Sequence, residues 1–196
     1  TRLYAIATND QLTGVYVRDF FERCLLRELH TCFRQQQPIS LIMIDLDGLK
    51  QINDAAGQIA GDAALSIMGK VLRNATRATD LVGRYGGDEF IILLPNTSLE
   101  YVHIAAERIQ AALSAEHVEG ALGGIPVKCC IGACGIAAPD FEAEAVPRPI
   151  PDSYFNEMAK VLIAGANQML YQAKQNGRSC SLIGNSSKWI GFKVEQ

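Results

Sequence analysis

Two stretches carry the residue types that metal or acid–base chemistry needs. Arg84-Tyr85-Gly86-Gly87-Asp88-Glu89-Phe90 sets two carboxylates directly behind two glycines. The glycine pair suits the positive φ angles of a primed hairpin turn, and it leaves no side chain to keep a ligand off the backbone. A plain hairpin turn accounts for the same residues equally well. The second stretch is Ile39 to Ile44, a short and almost wholly apolar run that stops at Asp45-Leu46-Asp47-Gly48. A carboxylate that ends a buried strand costs desolvation unless it is paired or binds a metal. The alternative is that Asp45 and Asp47 cap a short helix that follows. If the strand of Asp45 lies beside the hairpin, Asp45 and Asp88 converge at one rim of a sheet. Hard oxygen ligands so placed suit Mg²⁺, which bridges carboxylates to substrate phosphates. Lys174 and Arg178 are four apart and share a face near the end of a helical stretch. A cationic helix C-terminus favoured by the macrodipole explains them too.

The elements that must hold these residues follow from apolar spacing. From Val17 to Phe33 apolar residues recur at helical intervals. Ile39–Ile44 reads as a central strand buried on both faces. A second helical pattern covers about 62–75, with Asp62 as its N-cap. Leu81–Tyr85 and Glu89–Leu94 read as two strands of a tight hairpin. A third helix spans roughly 99–114, and a strand runs from about Pro126 to Ile136. Prolines 139, 147, 149 and 151 mark an acidic, irregular surface loop over 139–153. A fourth helix covers about 155–175, with Gly177 where helices end. Ser181–Ile183 is the last strand. Strands alternating with helices around one hairpin predict an α/β (α+β) sandwich, a central mixed sheet with helices on its faces.

Composition narrows the function classes. The chain has 196 residues, 48% hydrophobic and 20% charged, with a formal net charge of −3. This suits one domain with a real core and excludes wholesale disorder. It lacks the broad positive field of a DNA or RNA binder. No apolar run is long enough to cross a bilayer, so no membrane contact is expected of this segment. Thr1 opens the chain in place of Met, and the expectation is a piece excised from something longer. The six cysteines form no Cys-x-x-Cys pair and stand apart from the three histidines, which argues against zinc. Cys129, Cys130 and Cys134 read as buried small hydrophobes. Free thiols suit a reducing cytoplasm.

The ordered set of motifs resembles the GGDEF family of diguanylate cyclases, whose name is spelled by Gly86–Phe90. Asp10-Gln11-Leu12-Thr13-Gly14 is similar to its D-x-L-T-G opening. Asp45 to Asp54 is similar to D-x-D-x-F-K-x-I-N-D, and Gly57 to Asp62 to G-H-x-x-G-D. Leu170-Tyr171-Gln172-Ala173-Lys174 with Gly177-Arg178 is similar to the closing L-Y-x-A-K-x-x-G-R. Several separated motifs in the correct order are a strong signal. The resemblance implies a fold similar to nucleotidyl cyclases and polymerase palms (ferredoxin-like). It divides the chain into the end of an upstream linker (1–8), a GGDEF domain (9–184) and a tail (185–196).

The activity so implied is condensation of two GTP into cyclic di-GMP and two pyrophosphates. The resemblance assigns Mg²⁺ or Mn²⁺, two per site, to Asp45, Asp88 and the Leu46 carbonyl. Asp88, Glu89 and Lys50 take catalytic roles by the same carry-over. Asn53 and Asp62 would read the guanine; a carboxylate accepts from N1–H and N2–H₂ together, a pair that adenine lacks. Gln58, Gly86 and Gly87 join the substrate-binding set, and Lys174 and Arg178 are assigned to the terminal phosphates. Arg77-Ala78-Thr79-Asp80 resembles the family's R-x-x-D inhibitory site for product, with Arg108 as a second arginine. Each subunit would hold one GTP, so a homodimer is implied, governed by an upstream sensor in a cytoplasmic or membrane-anchored parent protein. Gln58, Leu49, Asn167 and Cys130 replace the family's usual His, Phe, Asp and Ser, and the 139–153 loop is longer than typical. The alternative within the family is a silent domain that binds cyclic di-GMP or GTP as a regulatory module.

Overall fold

Residues 8–120, 123–137, 149–176 and 181–184 are described by the computed structural model. In chain order they form β1 (Tyr16–Val17), α1 (Arg18–Gln35), β2 (Ile39–Leu46), α2 (Leu49–Ala56), α3 (Gln58–Ala75), β3 (Leu81–Arg84) and β4 (Glu89–Pro95). A 3-10 turn (Leu99–Tyr101), α4 (Val102–Leu113), β5 (His117–Gly120), β6 (Gly123–Pro126), β7 (Cys129–Ile136), α5 (Asp152–Gln175) and β8 (Ser181–Ile183) follow. Six strands make one mixed sheet in the order β1-β3-β4-β2-β7-β8, and β5 with β6 forms a separate ribbon. The outer pairs β1–β3 and β7–β8 are parallel and the inner pairs antiparallel. This is the mixed sheet with helices on its faces that the alternation of patterns predicts.

All of β2 is buried. Its residues alternate between two cores. Ile42, Ile44 and Leu46 join Phe90, Ile92 and Leu94 under α3 and α4. Ile39, Leu41 and Met43 join Ile91 and Leu93 under α1 and α5. Each such side chain contributes about 1.5–3 kcal/mol when fully buried. A strand that serves two cores has no polar side, which is why β2 reads as a continuous apolar run. Asp45 has the parity of Met43 and therefore projects into the α1/α5 layer. The helix α5 comes unusually close to β7 because Gly132 lies beneath it. A Cβ there would collide with the Leu170 nitrogen and the Ala166 oxygen. Lys174, one turn beyond Leu170, is thereby carried to the end of β2.

Several boundaries differ from those expected. The β5–β6 ribbon was not foreseen, and Pro126 ends β6, so the following strand starts only at Cys129. The helix α3 starts at Gln58, because Gly57 at φ 83° breaks the chain directly after α2. Its first turn, Gln58-Ile59-Ala60-Gly61, leaves its large apolar residue Ile59 exposed, so no inward apolar period marks that start. The expected third helix is a 3-10 turn followed by α4. The helix α5 starts at Asp152, so Asp152 and Ser153 are helical where a loop was expected. Gly177 lies outside the described residues, as does most of the proline-rich loop. The five described cysteines are buried free thiols. No described helix is long and apolar enough to cross a membrane.

Candidate active site

Strand pairing draws the acids together. Asp45 stands opposite Glu89 in the β2–β4 register, and the Leu46 N–H donates to the Asp88 carbonyl oxygen at 3.0 Å. On the other side the Asp47 N–H donates to the Lys128 carbonyl at 2.8 Å. The Cys130 thiol, fully buried, donates to Asp47 Oδ1 at 3.2 Å. Neither Asp45 nor Asp47 caps α2, whose N-cap is Gly48 without a side-chain bond. Asp45 is 8% exposed and its Oδ2 lies 2.8 Å from Lys174 Nζ. Burial pushes the Asp45 carboxyl above its ordinary pKa; Lys174 opposes this, while the charges of Asp88 and Asp47 add to the rise. Burial works to lower Lys174, but the hydrogen bond and charge of Asp45 and the charges of Asp88 and Glu89 raise it. Among the described residues no three acidic, histidine or cysteine side chains gather closely enough to hold a metal ion by themselves. The hard oxygen donors at this strand end, with one cation already paired to Asp45, are of the kind a divalent ion takes when a ligand's phosphates complete the set.

The glycine turn departs from expectation. Gly86 and Gly87 do not have positive φ. The strand β3 stops at Arg84, so Tyr85, Gly86, Gly87 and Asp88 all lie in the connection. The N–H groups of Tyr85 and Gly86 both donate to the Glu89 carbonyl, at 2.8 and 3.2 Å. A connection of this length closes without left-handed angles. What Gly87 supplies is room: a Cβ there would meet nothing within 4 Å. Arg84, which sequence reasoning did not single out, clamps the turn. Its Nε and Nη2 donate to the Gly87 carbonyl at 3.1 and 2.6 Å, and its Nη1 reaches both Asp10 carboxylate oxygens at 3.2 Å. The only signal for it was a charged residue closing an apolar strand just before the glycines.

Arg84 and Gly87 line a cavity of about 470 Å³ with Leu49, Asn53, Gln58, Gly61, Asp62 and Leu65. The structure thus gathers Asn53, Gln58, Asp62 and Gly87, all named from sequence, around one space. Asn53 Oδ1 is buried there without a hydrogen-bond partner among the described residues. Gly61 makes its place, since a Cβ at that position would collide with Asn53 Oδ1. An unpaired buried acceptor costs about 1–3 kcal/mol, and a ligand that donates to it would remove that cost. Asp62 is exposed and is the fifth residue of α3, which corrects its reading as an N-cap. A larger concavity of about 690 Å³ lies between α1 and α5. Volume alone does not mark a site, and the unpaired Asn53 oxygen belongs to the smaller cavity.

The other named residues are dispersed. Lys50 is exposed in the first turn of α2. Arg77 and Asp80 close a turn on each other: the Arg77 N–H donates to Asp80 Oδ2 at 2.7 Å and the Asp80 N–H to the Arg77 carbonyl at 3.0 Å. That leaves the Arg77 side chain exposed, as is Arg108 on α4. Arg178 lies outside the described residues.

Residues 7–148 match the family described as diguanylate cyclase, GGDEF domain. Diguanylate cyclase A of Treponema denticola is 31% identical over 182 residues, covering 91% of this chain and 45% of that protein. Diguanylate cyclase DgcP of Pseudomonas aeruginosa is 35% identical, covering 88% of this chain and 23% of the relative. The chain thus spans less than half the length of these two relatives. Among solved structures, diguanylate cyclase SiaD in complex with its activator SiaC, from Pseudomonas aeruginosa, superposes with a TM-score of 0.77 at 27% identity. It covers 93% of this chain and 64% of that one. The acid cluster beside an open glycine turn, the fold and these likenesses together place the chain in the GGDEF family of diguanylate cyclases.

Proposed function

We propose that this domain condenses two molecules of GTP into cyclic di-GMP, releasing two pyrophosphates. The observation that carries this reading is the pairing of the buried Asp45 with Lys174 at the strand end where Glu89 stands opposite it, next to the turn that borders a cavity with an unpaired acceptor. Guanine enters that cavity, donating N–H groups to Asp62 and Asn53. A site built on such acceptors discriminates strongly, because the wrong base leaves them unpaired. Gln58 adds a hydrogen-bonding group at the same mouth.

Asp45, Asp88 and the Leu46 carbonyl hold Mg²⁺ or Mn²⁺, two per site by family likeness. When bound, the ions polarise the α-phosphate and make the ribose 3′-hydroxyl a better nucleophile. Glu89 and Asp88 accept the proton that this hydroxyl gives up. The 3′-oxygen then forms its bond to the α-phosphorus of the GTP on a second subunit, and pyrophosphate leaves with the electron pair. Lys50, Lys174 and Arg178 neutralise charge on the departing phosphates. Two subunits face each other for this exchange, brought together by an upstream sensor segment. Product returns to the turn of Arg77 and Asp80, with Arg108 as a further donor, and restrains the enzyme.

The test is incubation with Mg²⁺ and GTP followed by chromatography of the nucleotides. Cyclic di-GMP is the expected product, and a dimeric, nucleotide-binding protein that makes none overturns the reading. Asp88→Ala removes a metal ligand and lowers the rate by several kcal/mol of activation, roughly a thousandfold or more. Its far-UV circular dichroism stays that of the parent.

A further inference from the structure

A lysine meant for phosphates needs no carboxylate partner in their absence, yet Lys174 has one. Its Nζ stands 2.8 Å from Asp45 Oδ2, with the Lys174 side chain 39% exposed and that of Asp45 12%. The contact is not a chance surface pairing. The helix α5 is seated on Gly132, where any side chain would collide with the helix backbone, and the small residues Ala166 and Ala173 are fully buried along the same helix. That docking fixes Lys174 over the end of β2. Glu89 stands opposite Asp45 in the β2–β4 register, and Asp88 accepts the Leu46 N–H on its carbonyl at 3.0 Å. Two further acidic residues thus lie on the backbone segment beside the Asp45–Lys174 pair.

We propose that Lys174 is a resident substitute for the divalent cation: its ammonium occupies the acid cluster in the free protein, and gives way when cation and nucleotide arrive together. This rests on the cyclase reading given above. Like charges held this close repel unless a cation lies among them. Lys174 supplies that cation, so the acid cluster stays tolerable without metal. A free divalent ion must displace the ammonium and leave it without an anion to pair with. With a nucleotide present, the terminal phosphates receive the displaced ammonium. The chain therefore binds metal poorly by itself and well with GTP, which is positive coupling between the two ligands, and by linkage it holds in both directions. One side chain then serves two partners in turn, and the acid cluster does not fill with metal before substrate is there.

The test is titration of the whole chain with Mn²⁺ alone, no nucleotide being present, with free Mn²⁺ read by its electron paramagnetic resonance signal. Lys174→Met, which has no charge, binds Mn²⁺ at least about tenfold more tightly than the parent, a difference of about 1.4 kcal/mol. Lys174→Arg keeps the charge and binds as weakly as the parent. Thermal unfolding gives a second readout, in which Mn²⁺ raises the midpoint of Lys174→Met more than that of the parent. A Met variant that folds only when Mn²⁺ is present supports the proposal equally. Mn²⁺ affinity no higher in Lys174→Met than in the parent overturns it. So does a Met variant that stays unfolded with and without the ion, because a divalent cation then fails to replace the ammonium. Product formation from GTP is scored separately on the parent protein, so failure of the cyclase reading and failure of this proposal give different results.

Discussion

Asp10 supports the glycine turn from outside the acid cluster. Its carboxylate accepts from the Thr13 N–H at 2.9 Å, from the Thr13 hydroxyl at 2.6 Å and from Arg84 at 3.2 Å. Burial works to raise its pKa, but the Thr13 and Arg84 contacts outweigh it and hold the group below the ordinary 3.8. A depressed folded-state pKa gives stability that is complete above the unfolded value and is lost as the pH falls through the folded one. Asp10→Asn is therefore expected to unfold at lower temperature than the parent at pH 7, by about 1–2 kcal/mol. The difference should close in acid, below pH 3.8, when both are melted across a pH series. At the cavity proposed to take guanine, Asp62→Ala should lower GTP affinity roughly tenfold or more and narrow the preference for GTP over ATP, as calorimetry with each nucleotide would show. Its melting temperature should hardly move, because Asp62 is exposed and caps nothing. The acids and the Asn53–Asp62 pair could be named from sequence because they sit in motifs whose order is distinctive; that Asn53 and Asp62 line one cavity is what the structure adds. The Lys174–Asp45 contact was not legible, since no local pattern links residues so distant in the chain. Of the two properties expected of the glycines, positive φ is absent, while the open space expected beside the backbone is present at Gly87.

At the scale of elements, what the sequence shows depends on how much apolar surface an element buries. The strands β2 and β4 and the long helices α1, α3 and α5 announce themselves because each fills a core with several residues. The helix α2 buries only Ile52, and in the β5–β6 ribbon only Val118 is buried. Neither offers a period long enough to read. Helix ends fail for a related reason, since after Gly57 the one large apolar residue of the first turn, Ile59, faces outward and gives no core period. The close seat of α5 on β7 makes Gly132 the most sensitive backbone position in the sheet. Gly132→Ala should cost about 1–3 kcal/mol or more in a urea titration, because the colliding atoms are backbone and cannot turn aside. The same change should lift Lys174 away from Asp45.

On the proposed reaction the molecule works only in pairs, since one chain presents one candidate nucleotide cavity beside one set of strand-end acids. Specific activity should then fall on dilution and recover on concentration. A rate measured across a hundredfold range of protein, beside light scattering on the same samples, checks this. A rate proportional to concentration while light scattering reports monomers throughout would place all the chemistry within a single subunit. The overall architecture was legible from the alternation of strand and helix patterns.

The two margins of the main sheet are short: β1 contributes two residues and β8 three among those described. Their neighbours pair with them in parallel. An approaching chain finds few free amide and carbonyl groups there to continue the ladder. The proposed pairing of two copies would therefore run through side chains and not through a fused sheet. Contacts of that kind separate without unzipping backbone hydrogen bonds, which would make such an assembly reversible.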